Sequence, residues 1–556
     1  MKNLLFLLVL FFPAFGFAQL QRAGAQGQER TSTEKKDTVK PPITDYRIIS
    51  VENDTTYVDT NLNIQKEYKF NYLRRDIFEL LPFSNSGQTY NSLSHSEDFS
   101  ELMPQFGASA RHYNFFDVED IYYYRVPTPL TEIYYKTVPE QGQQLDAFFT
   151  MNTSENFNFS VAYKGTRALG KYQHILTSTG NFRATVNYQS NNKRYHAKAH
   201  FVSQDLMNQE NGGLTDQSLE QYIAQEPEFQ DRSLLDVNFE DAQSTLYGKR
   251  FYLNHSYQLL DSTKVGSMAV GHVLNYSYEK FEFSQEKANT LFGPAFESSG
   301  LGDKVRMQSF YNEAFIKYYQ KYLGNLKFSA GFDSYNYGYN SVYVRENELI
   351  EDRLKGDLFR IGGQYSKEIG GFMLDARGGL NLAGDFTGNF LTATASYAFN
   401  EENLIRFGAK QNSRTPNFNF LLYQSDYINY NWRNHFDNIT SQNINFELDS
   451  KKLLKLRGDL TQIQNYTYFG LNSEGLVQPK QFGSQVRYYK VKAEKGFDFG
   501  VFGMYNTVLY QNVLNGADAL KLPEVVTRNS IYYQDYWFQR ALYLQTGFTL
   551  KYFTQY

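Results

Sequence analysis

From about residue 120 onward the chain repeats one pattern: segments of roughly ten residues in which apolar and polar side chains strictly alternate. Successive side chains of an extended strand point to opposite faces, so each segment has one apolar and one polar face. In residues 194–201, Tyr195, Ala197, Ala199 and Phe201 share one face, and Arg194, His196, Lys198 and His200 share the other. Phe157, Phe159, Val161 and Tyr163 likewise oppose Asn158, Ser160 and Lys164, and Phe182, Ala184, Val186 and Tyr188 oppose Arg183, Thr185 and Asn187. Downstream, Phe372, Leu374, Ala376, Leu380 and Leu382 oppose Asp375, Arg377 and Asn381, while Ile405, Phe407 and Ala409 oppose Arg406 and Lys410. Phe497, Phe499, Val501 and Tyr505 oppose Asp498 and Asn506. One face suits lipid and the other water, which predicts an all-β fold, a large antiparallel transmembrane β-barrel. A soluble β-sandwich also alternates, but its wide inner faces tend to exclude charge. Here the polar faces carry charges between small residues.

Connection lengths point the same way. Short turns at 154–156, 191–193, 324–325, 370–371, 400–403 and 495–496 mostly interleave with long polar stretches near 204–247, 284–304, 339–354 and 414–440. Outer-membrane barrels have short periplasmic turns and long outer loops. Between Leu130 and Tyr556 the pattern accommodates about nineteen strands, give or take two because boundaries are the least legible feature. Bacterial single-chain barrels have even numbers, so an odd count implies a miscount by one or a truncated chain. Phe548, Leu550, Tyr552 and Tyr556 share one face, as in a closing amphipathic strand.

The N-terminus sets the compartment. Lys2, the apolar run Leu4 to Phe12, and Gly16-Phe17-Ala18 form the charged, apolar and small-residue parts of a cleavable signal peptide, residues 1–18. Residues 19–45, with almost no apolar content, predict a disordered periplasmic leader. Residues 46–120 contain strand-like pieces without a repeat and predict a short N-terminal periplasmic region of unassigned role; the barrel is expected over 121–556. No apolar run of about 18 residues follows the signal, so no spanning helix is available. The location expected is the bacterial outer membrane, with its lipid and the barrel-assembly machinery as partners. The 46 Tyr and 47 Phe coexist with a mean hydropathy of -0.55, a combination that alternating strands and interfacial aromatic girdles produce. With no Cys, disulfides and thiolate metal sites are excluded. A net charge of -4 offers no basic domain for nucleic acid.

No constellation for an enzyme, cofactor or metal emerges. The His residues, at 95, 112, 174, 196, 200, 255, 272 and 435, are scattered, and His255 and Ser256 are strand neighbours on opposite faces, unable to act as base and nucleophile. His196 and His200 have the spacing of a helical metal pair, but in a strand they lie roughly 13 Å apart at about 3.3 Å per residue. Asn208 to Asp216 groups oxygen side chains around Gly212-Gly213 without EF-hand spacing, so a plain flexible loop is favoured over a Ca²⁺ site. Arg457-Gly458-Asp459 matches an integrin-binding tripeptide but falls within a strand. The candidate pore-lining residues are Lys164, Arg183, Arg194, His196, Lys198, His200, Asp375, Arg377, Arg406, Lys410, Lys455, Arg457 and Asp459. Charge rings on side chains select ions in wide pores, and the basic excess predicts a mild anion preference unless these charges neutralise one another. The acidic stretch 204–247, helix-like over Asp216 to Ala224, can fold inward to narrow the pore, cover it as a lid, or form a surface epitope.

The segments 120–135 (DIYYYRVPTPLTEIYY), 211–216 (NGGLTD) and 414–426 (RTPNFNFLLYQSD) resemble the putative-porin family of Bacteroidota-type bacteria. The resemblance extends from about Asp45 to the last residue. It implies an outer-membrane barrel that conducts solutes, and further strands past Tyr556, which favours truncation over a miscount. The leading expectation is therefore a porin-like channel for passive diffusion of small hydrophilic solutes or ions, of unspecified oligomeric state. The alternatives are an energised uptake receptor and a structural or adhesive barrel with a sealed lumen. A receptor of that kind needs a plug of more than a hundred residues, and the stretch ahead of the first barrel strand looks too short for one.

Overall fold

A computed structural model of the protein describes residues 40–107, 113–262, 266–340, 342–345 and 348–556. The expected signal peptide and most of the expected leader lie outside the described residues. The chain divides into a short N-terminal unit, Met1–Pro42, and a body, Ile43–Tyr556. Among the described residues no helix is long and apolar enough to cross a membrane.

The body is a closed barrel of nineteen strands, from Leu130–Val138 to Leu542–Phe553. Sequential neighbours pair through antiparallel ladders, for example Phe157↔Tyr188 to Ala168↔Thr177 and Phe502↔Tyr533 to Tyr510↔Val525. With an odd number of strands the first and last run in the same direction, so the junction that closes the sheet is the one place where an antiparallel ladder cannot form. At one rim the connections among the described residues are short, namely 155–156, 190–194, 321–323, 370–371, 401–402, 451–454, 500–501 and 538–541. Gly370 and Gly371 both have positive φ between the paired residues Ile369 and Phe372, a two-residue turn that a Cβ would strain. The opposite rim carries the long connections, among them 211–241, 339–352, 415–438 and 465–485.

The faces are those of a membrane barrel, apolar outside and polar inside. In Phe157–Ala168, Asn158, Ser160, Lys164 and Thr166 are buried in the interior while Val161 and Tyr163 are exposed. Ile444, Leu460, Ile531 and Phe548 project outward, Phe548 remaining 88% exposed. Tyr188, Tyr257, Tyr319, Tyr397, Phe499 and Trp537 stand exposed near the short-turn rim, where an aromatic girdle is expected. Replacing Ile444 by Arg will cost about 2–4 kcal/mol, the depth-dependent penalty of a charge on the lipid face. Urea-dependent folding into lipid vesicles measures it, and the inward-facing Lys410→Gln serves as the near-neutral control.

The sequence reading put residues 46–120 below the barrel in the periplasm, and the structure corrects this. Among the described residues, 43–107 and 113–125 lie against the inner face of the wall. Arg47–Ile49 is the middle strand of a small sheet with Thr55–Tyr57 and Tyr123–Arg125, and Leu80–Pro82 forms a hairpin with Tyr90–Ser92. The rest of the described segment is a short helix, Ile64–Tyr68, two single 3-10 turns and irregular backbone, several of whose carbonyls accept hydrogen bonds from the wall. The barrel's start shifts accordingly: Tyr123–Arg125 belongs to the interior sheet, and the first wall strand begins at Leu130. Alternation alone cannot separate a wall strand from a lumenal strand that is also two-faced.

A plugged lumen as candidate functional site

The interior segment, called the plug below, is held from all sides by the polar faces of the wall. On one arc, Lys136 Nζ donates to the Phe70 carbonyl at 3.2 Å, the Tyr72 and Thr179 hydroxyls are bonded, and Asn85 Nδ2 donates to the carbonyls of Ala168 and Ile175 at 3.0 and 2.7 Å. On the opposite arc, Asn381 and Asn412 donate to the carbonyls of Leu102 and Glu101, and Gln511 to that of Leu93 at 2.6 Å. The most concentrated latch lies between Tyr68 and Leu80. Arg528 holds Asp76 through two hydrogen bonds of 2.6 and 2.8 Å and lies 3.5 Å over the Tyr68 ring. Lys492 pairs with Glu79 at 3.2 Å, and Lys551 Nζ donates to the carbonyls of Ile77 and Leu80. Burial pushes the Asp76 and Glu79 carboxyls up, but Arg528 and Lys492 outweigh it and hold both below the usual carboxylate range.

The plug explains where the predicted pore-lining residues went. Lys164 is 3% exposed, beneath the rings of Tyr72 and Phe116, and Arg183 pairs with Asp146 at 3.1 Å while stacking on Phe116. Lys198 Nζ donates to the Ser50 carbonyl at 2.9 Å. Because Arg250 Nε donates to His200 Nε2 at 3.1 Å, the Nδ1–H of His200 faces the Tyr123 oxygen, 2.8 Å away, and the ring is neutral. Arg377 forks onto Glu52 at 2.6 and 3.1 Å and also meets Asp375 at 3.4 Å. Arg406 and Arg457 share Glu447, each at 3.3 Å, and Lys455 meets Asp449 at 3.2 Å. Lys410 lies over the Phe99 ring, and Asp459 sits in register with Asn445 and Lys490. His196 is exposed at the strand's start, against the Lys193 carbonyl. Arg194 departs from expectation: it lies in the exposed connection before Tyr195–Glu210 and lines no pore. The faces were legible, whereas the partners belong to a segment with no period of its own.

Space remains beside the plug. Three adjoining cavities of about 340, 630 and 330 Å³ run along the wall: the first two share Glu119 and Arg360, and the last two share Lys317 and Gln364. The lowest reaches Ser267, Tyr319 and Asn325 at the short-turn rim. Above the first lies a buried aromatic cluster that includes Phe106 and Phe115 of the plug, Tyr335 and Tyr337 of the wall, and Phe418 of the 415–438 connection. Phe418 and Tyr337 stack at 4.8 Å, and the Phe418 amide donates to the Gln105 carbonyl at 2.9 Å. Beyond the cluster an outer cavity of about 430 Å³ opens between Phe296, Tyr343 and Asp426. The inward-folded connection is therefore 415–438. The acidic 211–241 connection bears an exposed helix, Asp216–Ala224, at the long-loop rim. Within the first cavity, burial together with the charges of Asp98 and Glu119 pushes the Glu101 carboxyl up to about 7.

A sequence model of the family described as "Putative porin" matches residues 42–556. A search of curated proteins by sequence finds no match. Among solved structures, the barrel is similar to a mutant of the ferric enterobactin receptor PfeA from Pseudomonas aeruginosa in complex with enterobactin: TM-score 0.51, 9% identity, 78% of this chain and 70% of that one. It is similar also to the siderophore receptor PirA from Acinetobacter baumannii (TM-score 0.50, 10% identity, 73% and 65%) and to the copper transporter OprC (TM-score 0.50, 10% identity, 74% and 67%). At such identities the likeness is one of fold.

Proposed function

From a chain that belongs to the putative-porin family and forms a transport barrel of the bacterial outer membrane, we infer a gated transporter of small hydrophilic solutes, shut at rest by its own plug. The observation that carries this reading is the ring of bonds by which residues 43–125 engage inner faces all around the lumen. An always-open diffusion pore has no use for such a stopper. A purely structural barrel has no use for the row of cavities beside it. The protein moves solutes without covalent chemistry of its own.

A second reading, energised uptake, is favoured by the polarity of the plug. Outer-membrane barrels turn their short connections to the periplasm. Residues 46–57 and 123–125 bond near that rim, as with Arg125 to the Glu155 carbonyl, whereas Gln105 and Gly107 bond the long 415–438 connection. A pull on the N-terminus from the periplasm would thus meet the plug at its near end and strip its bonds in sequence. The receptors of similar fold make this mode worth testing beside spontaneous opening.

The latch supplies the experiment. Removing one partner of a buried ion pair costs about 3–5 kcal/mol, reduced here to about 2 kcal/mol because Asp76 is 40% exposed. That is about a 30-fold shift toward the undocked plug. In planar bilayers the wild-type protein is expected to stay shut with rare openings, and Asp76→Asn combined with Glu79→Gln to open far more often. Steady conductance by the wild type would overturn the closed-plug reading.

A further inference from the structure

The cavity of about 340 Å³ between plug and wall contains an imbalance that the fold itself does not resolve. Asp98, Glu101, Asp117 and Glu119 from the plug and Glu279 from the wall line it, and none of these five forms an ion pair among the described residues. Arg360, a wall guanidinium that lines the same cavity, is already committed to Asp333 and to the Tyr311 ring. The Arg360 Nε is nonetheless buried without a hydrogen-bond partner, and Arg250 lacks an ion pair altogether among the described residues. Its side chain is 6% exposed, its Nε is bonded to His200, and its Nη2 is buried without a hydrogen-bond partner. The surrounding carboxylates act on it only at a distance, and none comes within ion-pairing range.

A buried guanidinium N–H without an acceptor is costly, and so are carboxylates gathered without counter-charge. Each deficiency calls for a different chemical group. An acceptor oxygen is wanted at Arg250, and a cationic donor on the acidic lining to which Glu101, Glu119 and Glu279 contribute. A bare metal ion fits poorly, since the guanidinium repels it and no three metal-ligating side chains converge among the described residues. A simple anion fits poorly as well, because the surrounding carboxylates repel it. A molecule with a carboxylate at one end and an ammonium at the other answers both.

We propose that this cavity is a way-station for zwitterionic solutes, free amino acids or short peptides, which set their carboxylate against Arg250 and their ammonium among Glu101, Glu119 and Glu279. This deepens the transport reading and rests on it. The cavity lies directly beneath the aromatic cluster and leads through the adjoining cavities toward the short-turn rim, so a solute released through the cluster meets this site next. Four of its carboxylates, Glu101 and Glu119 among them, belong to the plug, so displacement of the plug dismantles the site and frees the solute.

The test is equilibrium dialysis of labelled dialanine against the folded full-length protein, with N-acetyl-dialanine and dialanine amide as probes lacking one charge each. Dialanine is expected to bind at least tenfold more tightly than either blocked form. Arg250→Gln should remove that advantage over dialanine amide, and Glu101→Gln, which leaves the wall sequence intact should the Arg250 variant fail to fold, should weaken dialanine several-fold. Equal affinity for all three probes, absence of dialanine binding, or wild-type binding by both variants would overturn the proposal. Bilayer recordings on the same samples keep the two readings apart. A shut wild type that ignores dialanine refutes the solute class alone, while a steadily conducting wild type refutes the plugged transporter.

Discussion

Deletion of residues 46–125 will turn a shut barrel into a steadily conducting one with a preference for anions. The wall should survive the deletion, because its ladders join strand to strand without passing through the plug. What remains is a nineteen-stranded lumen with a polar lining, wider than the 16–18-stranded porins, at which size an aqueous channel is left open. The selectivity follows from which charges lose their partners. Arg528, Lys492 and Arg377 give up Asp76, Glu79 and Glu52, and Lys198 and Lys551 give up plug carbonyls, so these basic groups all turn to water. Arg406 and Arg457 keep Glu447 and contribute little. The anion preference expected from the sequence thus belongs to the emptied lumen. Bilayer recording under a salt gradient reads it from the reversal potential. A folded deletion variant that does not conduct, or one that favours cations, would refute this account of the lumen.

The second large effect concerns the aromatic cluster between the outer cavity and the inner row. Phe418 is fully buried, stacked on Tyr337 and tilted against Tyr335, and it arrives on a connection whose amide is tied to the plug. Truncation of a buried Phe to Ala costs about 3–5 kcal/mol, part of it the cavity left behind. Here that cavity would join spaces the cluster keeps apart, and hydrophobic constrictions hold a gate shut largely by excluding water. Phe418→Ala is expected to raise solute flux into proteoliposomes by at least tenfold with the plug still latched, and Phe418→Leu to raise it far less. Unchanged flux in the alanine variant, with the barrel folded, would locate the barrier elsewhere.

Much of the wall could be read from the sequence because period-two alternation reports a face whatever the face touches. Tyr195, Ala197 and Phe201 do face outward, Lys198 and His200 do face inward, and the strand count was reached without any contact information. The plug could not be read. Its strands are three residues long, and its order comes from partners hundreds of residues away, as when Tyr68 meets Ser530. Arg528 was within reach, since it alternates with Ser530 and Tyr532 on one face of Val525–Trp537, but its role depends on Asp76, in a segment without pattern. Length misled as well: fewer than a hundred residues fill much of this lumen, because the plug builds only a small core of its own around Tyr72, Leu73 and Leu80 and borrows the wall's polar face as its hydrogen-bonding surface.

The same borrowing has a consequence for biogenesis. The plug is synthesised before any of these wall strands, yet the groups that retain it include Lys492, Gln511, Arg528 and Lys551, more than four hundred residues further along the chain. Contacts across such sequence separations form only after a large loop-closure entropy has been met. A wall that has entered the bilayer while its plug still hangs free is a leak, and every newly made molecule presents the envelope with that hazard until the strands that carry Lys492, Gln511, Arg528 and Lys551 capture the plug.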